Sequence, residues 1–115
     1  MKIGFLGVGT VSTAVIEAMA SRGGAQETIY LSPRGEKRST ELAAKYDHCI
    51  RLDSNQAVID ASDMVVISML PNQVDEALAE LTFREDQIIA SFIAGTPPSG
   101  IAKLTAPATQ VSQLI

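Results

Sequence analysis

Tryptophan is absent from this sequence and other aromatic residues are few, so the core must consist mainly of aliphatic side chains. The 115 residues include 3 Phe, 2 Tyr and no Trp. Hydrophobic residues make up 46% of the chain and charged residues 19%, the balance of an ordinary globular protein. This length is sufficient for one domain and too short for two.

Cysteine and histidine each occur once, as Cys49 and His48, which limits the sites that the chain can build. A single cysteine excludes an internal disulfide framework and a multi-cysteine metal site. A zinc site or a Ser-His-Asp triad lacks its partners, so no metal site is predicted. We expect Cys49 to be a small buried residue of a strand, and His48 to be structural.

Long apolar runs are also missing, and positive charge is concentrated in one place. No run approaches the ~20 residues of a membrane span, and residues 1–7 lack a signal-peptide pattern, so we expect no membrane association and a cytoplasmic location. A net charge of −4 argues against nucleic-acid binding. The one tight basic cluster, Arg34, Lys37 and Arg38, indicates a small anion or, alternatively, a solvated helix face.

Strand and helix patterns alternate along the chain. Strands are predicted at residues 2–6, 28–32, 49–52, 64–69, 87–93 and 109–115, and helices at 10–21, 36–46, 54–61, 72–81 and 98–104. Residues 64–69 form a nearly uninterrupted apolar run, which is typical of a parallel strand covered on both faces. This order predicts an α/β fold, an open and mostly parallel sheet of about six strands with helices on both faces.

The end of the chain is unusually apolar, with no charged residue after Lys103. A natural surface terminus is usually more polar. We therefore expect residues 1–115 to be one domain of a longer protein whose C-terminal domain is absent from this chain.

A glycine-rich segment, Gly7-Val8-Gly9-Thr10-Val11-Ser12, stands between the first predicted strand and the first predicted helix. In a Rossmann-type sheet, glycines at this point permit a tight turn and a close approach of the backbone to a pyrophosphate. The helix then directs free N–H groups toward the phosphates. Ser12 replaces the usual Gly or Ala and is small enough for close packing. The pattern predicts a dinucleotide site at residues 7–11, the alternative being glycines that serve only a tight turn.

The end of the second predicted strand indicates which dinucleotide binds. An NAD site requires an acidic residue there to accept hydrogen bonds from the ribose. The sequence is instead Leu31-Ser32-Pro33-Arg34-Gly35. We expect Ser32 to donate to a 2′-phosphate and Arg34 to form a bidentate contact with it while stacking on adenine. This favours NADP(H), and Glu36 is the counter-argument because it is near enough to reach a ribose.

Four segments recur in the order and spacing of a known family: Ile3-Gly4-Phe5-Leu6-Gly7-Val8-Gly9, Ser32-Pro33-Arg34, Ser54-Asn55-Gln56-Ala57-Val58 and Ser91-Phe92-Ile93-Ala94-Gly95. Together they resemble the N-terminal domain of pyrroline-5-carboxylate reductase over essentially the whole chain. The resemblance implies that this domain binds NADPH and that a helical C-terminal domain supplies dimerisation and most of the imino-acid site. It also implies that Asn55 contacts the adenosine side and that Ala94 and Gly95 lie near the nicotinamide.

Two segments depart from that family, and one of them is Thr10-Val11-Ser12, where the reductases usually have Asn-Met-Ala. After the fourth predicted strand the chain has Met69-Leu70-Pro71-Asn72, where the reductases usually have a Val-Lys-Pro-Gln type segment. Met-Leu-Pro is more similar to the β-hydroxyacid dehydrogenases, and residues 69–71 are expected to line the crevice in either case. A deazaflavin-linked NADP oxidoreductase and a non-catalytic NADP-binding module are the remaining alternatives.

The resemblance implies a cofactor-binding domain of an NADP(H)-dependent oxidoreductase that reduces a cyclic imine in proline biosynthesis. Its substrate is expected to be a small imino acid or oxo acid, and the parent enzyme a homo-oligomer. No residue of the chain is a convincing proton donor, so no catalytic residue is assigned. The isolated chain is expected to bind cofactor without turnover.

Overall fold

A computed structural model describes residues 2–7, 10–20, 28–33, 36–46, 48–68, 76–91, 105–106, 108 and 110–113. Within these residues the elements follow the order β1 (Lys2–Leu6), α1 (Thr10–Ala20), β2 (Thr28–Leu31), α2 (Glu36–Lys45), β3 (Cys49–Arg51), α3 (Asn55–Ala61), β4 (Met64–Ile67), β5 (Ile88–Ser91) and β6 (Gln110–Gln113). Residues 76–79 are also helical. None of the helices in this described part is long and apolar enough to cross a membrane.

The strands form one 6-stranded sheet in the order β3-β2-β1-β4-β5-β6. Every pair of neighbouring strands is parallel, which confirms the predicted sheet. The chain moves outward from β1 to β3 on one side and then returns to β4 on the other side. This is the Rossmann strand order, in which ligands bind outside the carboxyl ends of the strands where the direction of winding reverses.

The two faces of the sheet are covered by different helices. Ile3 and Phe5 of β1 belong to the core cluster that contains Ile16 of α1 and Leu42 of α2. Leu6, the neighbour of Phe5, belongs to the second cluster, together with side chains of α3. Alternate residues of a strand point to opposite faces, so the apolar run of β1 supplies both cores.

The helix α3 lies unusually close to β1, and Gly4 makes this approach possible. A Cβ atom added at Gly4 would collide with Oγ of Ser62 and would lie 2.6 Å from Cγ1 of Val58. Ser62 directly follows α3, and its hydroxyl donates 2.6 Å to the carbonyl of Val58. Glycine at this strand position therefore serves close packing, which hydrophobic periodicity alone does not indicate.

Two polar side chains close the carboxyl end of α3. The amide of Gln87, which is fully buried, donates to the carbonyls of Ile59 at 2.7 Å and Ser62 at 2.9 Å. Arg84 donates to the carbonyls of Asp60 at 2.9 Å and Ser62 at 2.8 Å. Carbonyls at a helix end have no partner within the helix, so these contacts satisfy groups that burial would otherwise penalise.

Most predicted elements occur within a few residues of their predicted bounds, and two of the differences have a clear cause in hydrogen bonding. Leu81 was predicted to be helical, but its N–H donates to the carbonyl of Leu78 in a tighter turn. Gln87 was predicted to begin a strand, whereas its side chain accepts the N–H of Arg84 and closes a turn before β5. The helix predicted at 98–104 lies outside the described residues.

Candidate functional site

The carboxyl ends of the central strands lie along one edge of the sheet, here called the crevice edge, where sheets of this kind bind their ligands. Hydrogen bonds continue beyond the strands there, from the N–H of Ser32 to Phe5 at 3.1 Å, of Leu52 to Leu31 at 2.9 Å, and of Ser68 to Leu6 at 3.0 Å. The segments that leave β2, β3 and β4 are thus tied to the neighbouring strand. This edge presents a fixed surface to a ligand.

Gly7 makes the turn between β1 and α1. It is buried and has a φ of 88°, which lies in the region that L side chains rarely adopt. The helix α1 begins at Thr10, so its free N–H groups and positive dipole end lie at the crevice edge. A left-handed glycine three residues before a helix, at the point where strand order reverses, fits the pyrophosphate of a dinucleotide.

Ser32 directly follows β2 and makes a contact that was not predicted from the sequence. Its side chain is fully buried, and its hydroxyl accepts the backbone N–H of Gly7 at 2.9 Å. This contact uses the hydroxyl as an acceptor and leaves its own O–H as a donor, so donation from Ser32 to a 2′-phosphate stays a prediction. Ser32 thus connects the end of β2 to the turn that follows β1.

Arg51 is a crevice-edge residue that the sequence analysis missed. It is the last residue of β3, and its Nε donates to Oγ of Ser39 in α2 at 3.1 Å. Its Nη2 also donates to the carbonyl of Pro33, over a long 3.4 Å. The sequence does show an arginine at the end of a short, otherwise uncharged strand, which could have marked Arg51 as a site residue. Its hydrogen-bond partners are distant in sequence, so its contacts could not be predicted.

The amino end of α3 reaches the same edge. Ser54 is the N-cap, with its hydroxyl accepting the N–H of Ala57 at 3.1 Å, so Asn55 is the first helical residue. Among the described residues, Oδ1 of Asn55 is a buried acceptor without a hydrogen-bond partner. Such an atom carries a desolvation cost unless a donor reaches it. A ribose hydroxyl or an adenine amino group fits that requirement.

Cys49 and His48 both lie away from this edge. The carbonyl of His48 accepts the N–H of Ile29 at 2.9 Å, which places His48 at the amino end of β3, opposite the crevice. Cys49 is buried, as predicted, and this burial raises the pKa of its thiol to about 11. Neither residue is placed to contact a ligand in the crevice.

Several predicted site residues are not described by the structure. Val8, Gly9, Arg34, Met69, Leu70, Pro71, Ala94 and Gly95 lie outside the described residues. Thr10 and Val11 lie in the first turn of α1. Within the described ranges, no group of three or more His, Cys, Asp and Glu side chains is arranged to hold a metal ion.

Comparison with known proteins connects this geometry to a family. The family model described as NADP oxidoreductase coenzyme F420-dependent matches residues 2–95. No curated protein sequence matches the chain.

Solved structures extend the comparison to the fold. The pyrroline-5-carboxylate reductase of Streptococcus pyogenes is 28% identical, with a TM-score of 0.77 over 93% of this chain and 39% of that protein. The pyrroline-5-carboxylate reductase of Coxiella burnetii is 18% identical, with a TM-score of 0.82 over 96% of this chain and 42% of that one. Prephenate dehydrogenase from A. aeolicus is 17% identical, with a TM-score of 0.74 over 97% of this chain and 40% of the dehydrogenase. The chain thus spans about two fifths of the length of these proteins.

Proposed function

The chain belongs to the NADP oxidoreductase coenzyme F420-dependent family, and from this premise we propose that it binds NADP(H) for a reductase acting on a C=N bond. The observation that carries the proposal is the left-handed turn at Gly7, three residues before α1 and held by Ser32. NADP(H) is the cofactor that the family implies. When bound, it supplies a hydride at the nicotinamide.

Each part of the cofactor has a proposed partner at the crevice edge. The turn at Gly7, Val8 and Gly9 and the N–H groups of Thr10 and Val11 hold the pyrophosphate. Arg34 pairs with the 2′-phosphate, and Pro33 sets the direction of the loop that carries it. Asn55 offers its unpartnered Oδ1 to the adenosine. Residues 69–71 and 94–95 surround the nicotinamide side.

The substrate class follows from similarity to the reductases. The Streptococcus pyogenes enzyme, at 28% identity, supports a cyclic imino acid as substrate and a role in proline biosynthesis. A second domain of the complete protein would then supply the substrate site, the proton donor and the contacts of a homo-oligomer. On this proposal the present chain binds the cofactor in the cytoplasm and does not turn over alone.

A second candidate is a reductase of oxo acids. The segment Met69-Leu70-Pro71 favours it, because the pyrroline-carboxylate reductases usually carry a lysine within the corresponding turn. Both candidates use the same cofactor edge, so they differ only in what lies beside the nicotinamide. Comparing NADPH oxidation by the complete protein with a cyclic imine and with an oxo acid distinguishes them.

Calorimetric titration of the chain with NADPH and, separately, with NADH tests the cofactor proposal. We expect NADPH to bind at least about tenfold more tightly, which corresponds to one charge-assisted contact. Stronger binding of NADH would contradict the 2′-phosphate site and would favour Glu36 as a ribose ligand. Binding of neither cofactor would contradict the proposal that this chain holds the cofactor by itself.

A further inference from the structure

Arg51 connects three elements at the crevice edge. Its backbone belongs to β3, its Nε contacts Ser39 in α2, and its Nη2 contacts the carbonyl of Pro33 after β2. Ser39 is fully buried, so the guanidinium is fixed at one end by a residue inside the fold. Pro33 directly precedes Arg34, the residue that is expected to read the 2′-phosphate.

Among the side chains whose placement the structure describes, no carboxylate pairs with Arg51. Both described acceptors are neutral oxygens. The ion pairs found among the described residues are Lys45 with Glu17 and Arg84 with Asp86, and neither includes Arg51. A partly buried guanidinium without a carboxylate is costly unless an anion comes near it.

The position of Arg51 at the end of β3 indicates which anion would come near its guanidinium group. The N–H of the next residue, Leu52, donates to the carbonyl of Leu31, so the ends of β2 and β3 are adjacent. In dinucleotide-binding sheets the end of the second strand receives the adenosine ribose, and a 2′-phosphate is accommodated by an arginine nearby. Arg51 contacts both Pro33, which follows the end of β2, and Ser39 of α2.

We propose that Arg51 is a positioning residue for the 2′-phosphate of NADP(H), and this rests on the proposed function of the crevice. Its hydrogen bond to the carbonyl of Pro33 holds the residue that directly precedes Arg34 in the sequence. Its charge raises the local positive potential where the phosphate binds. NADH lacks this phosphate, so Arg51 contributes to the choice between cofactors rather than to dinucleotide binding in general.

Two substitutions of Arg51 separate these contributions. Arg51→Gln removes the charge, and Arg51→Lys keeps the charge but loses the planar group that reaches Ser39 and Pro33 together. We expect Arg51→Gln to raise the Kd for NADPH about tenfold and to leave that for NADH within about twofold. Arg51→Lys should give a smaller loss, of about threefold.

Lys45→Gln is the matched control, because it removes the same charge at the far end of α2. Lys45 is the last residue of that helix, and its side chain is 60% exposed. We expect both Kd values to stay within about twofold of the unsubstituted chain. The Kd for NADPH should also depend less steeply on salt in Arg51→Gln than in Lys45→Gln, because one cation fewer acts on the phosphate.

The outcomes distinguish this inference from the cofactor proposal itself. An NADPH preference in the unsubstituted chain supports the cofactor proposal regardless of the Kd values measured for the Arg51 variants. Equal losses for both cofactors in Arg51→Gln, or no loss for either, would overturn the inference and leave Arg51 as a structural residue or a bystander. If Arg51→Gln fails to fold, the selectivity of Arg51→Lys decides the question.

Discussion

The backbone N–H of Gly7 donates a 2.9 Å hydrogen bond to the hydroxyl of Ser32, across 25 positions of sequence. Gly7 directly follows β1 and has a φ of 88°, a conformation that glycine adopts without the steric penalty of a Cβ. The turn that is proposed to hold the pyrophosphate is therefore joined to the loop that carries Arg34. One buried serine supports both parts of the proposed cofactor site.

Ser32→Ala should weaken NADPH and NADH binding together. The substitution leaves the buried N–H of Gly7 without its acceptor, which costs about 1–3 kcal/mol of unfolding free energy and loosens the turn. Urea unfolding and calorimetric titration measure the two effects. Ser112→Ala removes the same atom from an exposed strand residue and should change stability by less than about 0.5 kcal/mol. Loss of NADPH binding alone would show that Ser32 reads the phosphate directly.

Arg34→Ala should weaken NADPH binding by about 1.5–3 kcal/mol, the contribution of a hydrogen bond to a charged group. Binding of NADH, which lacks the 2′-phosphate, should change little and serves as the internal control. Titration of the variant with each cofactor measures both values. Equal losses for the two cofactors would show that Arg34 does not distinguish them.

Gly4→Ala should destabilise the chain by about 1–3 kcal/mol, because the added Cβ overlaps Ser62 and crowds Val58. Chemical denaturation measures this cost in the unsubstituted background and again in Ser62→Ala. The cost should be smaller by at least about 0.5 kcal/mol in the second background, since the colliding Oγ is gone. The same cost in both backgrounds would mean that the helix moves away from β1 instead.

Gln87→Leu should lower the free energy of unfolding by about 2–4 kcal/mol. The buried amide makes three hydrogen bonds, to the carbonyls of Ile59 and Ser62 and from the N–H of Arg84, and leucine makes none.

Gln56→Leu is the matched control for that substitution. The side-chain amide of Gln56 also bonds to backbone groups. It donates to the carbonyl of Thr82 and accepts the N–H of Thr82, both at 2.9 Å, but these bonds are exposed. Water replaces its bonds there, so we expect a loss below about 1 kcal/mol. Similar losses for the two glutamines would contradict the role assigned to burial.

Cys49 should make folding pH-dependent above pH 9. The unfolded thiol ionises near its ordinary pKa of 9.0, whereas burial raises the folded pKa to about 11. Between these values the unfolded state binds fewer protons, so stability falls as pH rises, by at most roughly 2–3 kcal/mol. Unfolding of the unsubstituted chain and of Cys49→Ala is compared from pH 8 to pH 11. Parallel pH profiles would show that the thiol does not titrate differently in the two states.

The sequence predicted structural features correctly where they depend on a pattern of neighbouring residues. The apolar runs of β1 and β4 predicted buried parallel strands, and the glycines after β1 predicted a turn before a helix. Asn55 was assigned to the cofactor edge by resemblance, and its unpartnered oxygen there supports that assignment without testing it. The cofactor class follows from the family to which the chain belongs.

Contacts between residues that are far apart in the sequence could not be predicted in this way. Ser32 carries the expected hydroxyl, but only the pairing of β1 with β2 shows that this oxygen faces Gly7. The role of Arg51 depends on its contact with Ser39, which the packing of α2 against β3 creates.

The sequence by itself determined the fold class, the order of elements and the glycine at the turn after β1, because periodicity and glycine positions act over a few neighbouring residues. The tertiary structure decided which polar groups pair, since Gly7 with Ser32, and Arg51 with Ser39 and Pro33, are separated by 12 to 25 positions. Hydrogen bonds over such separations form only after the parallel strands have brought their carboxyl ends to one edge.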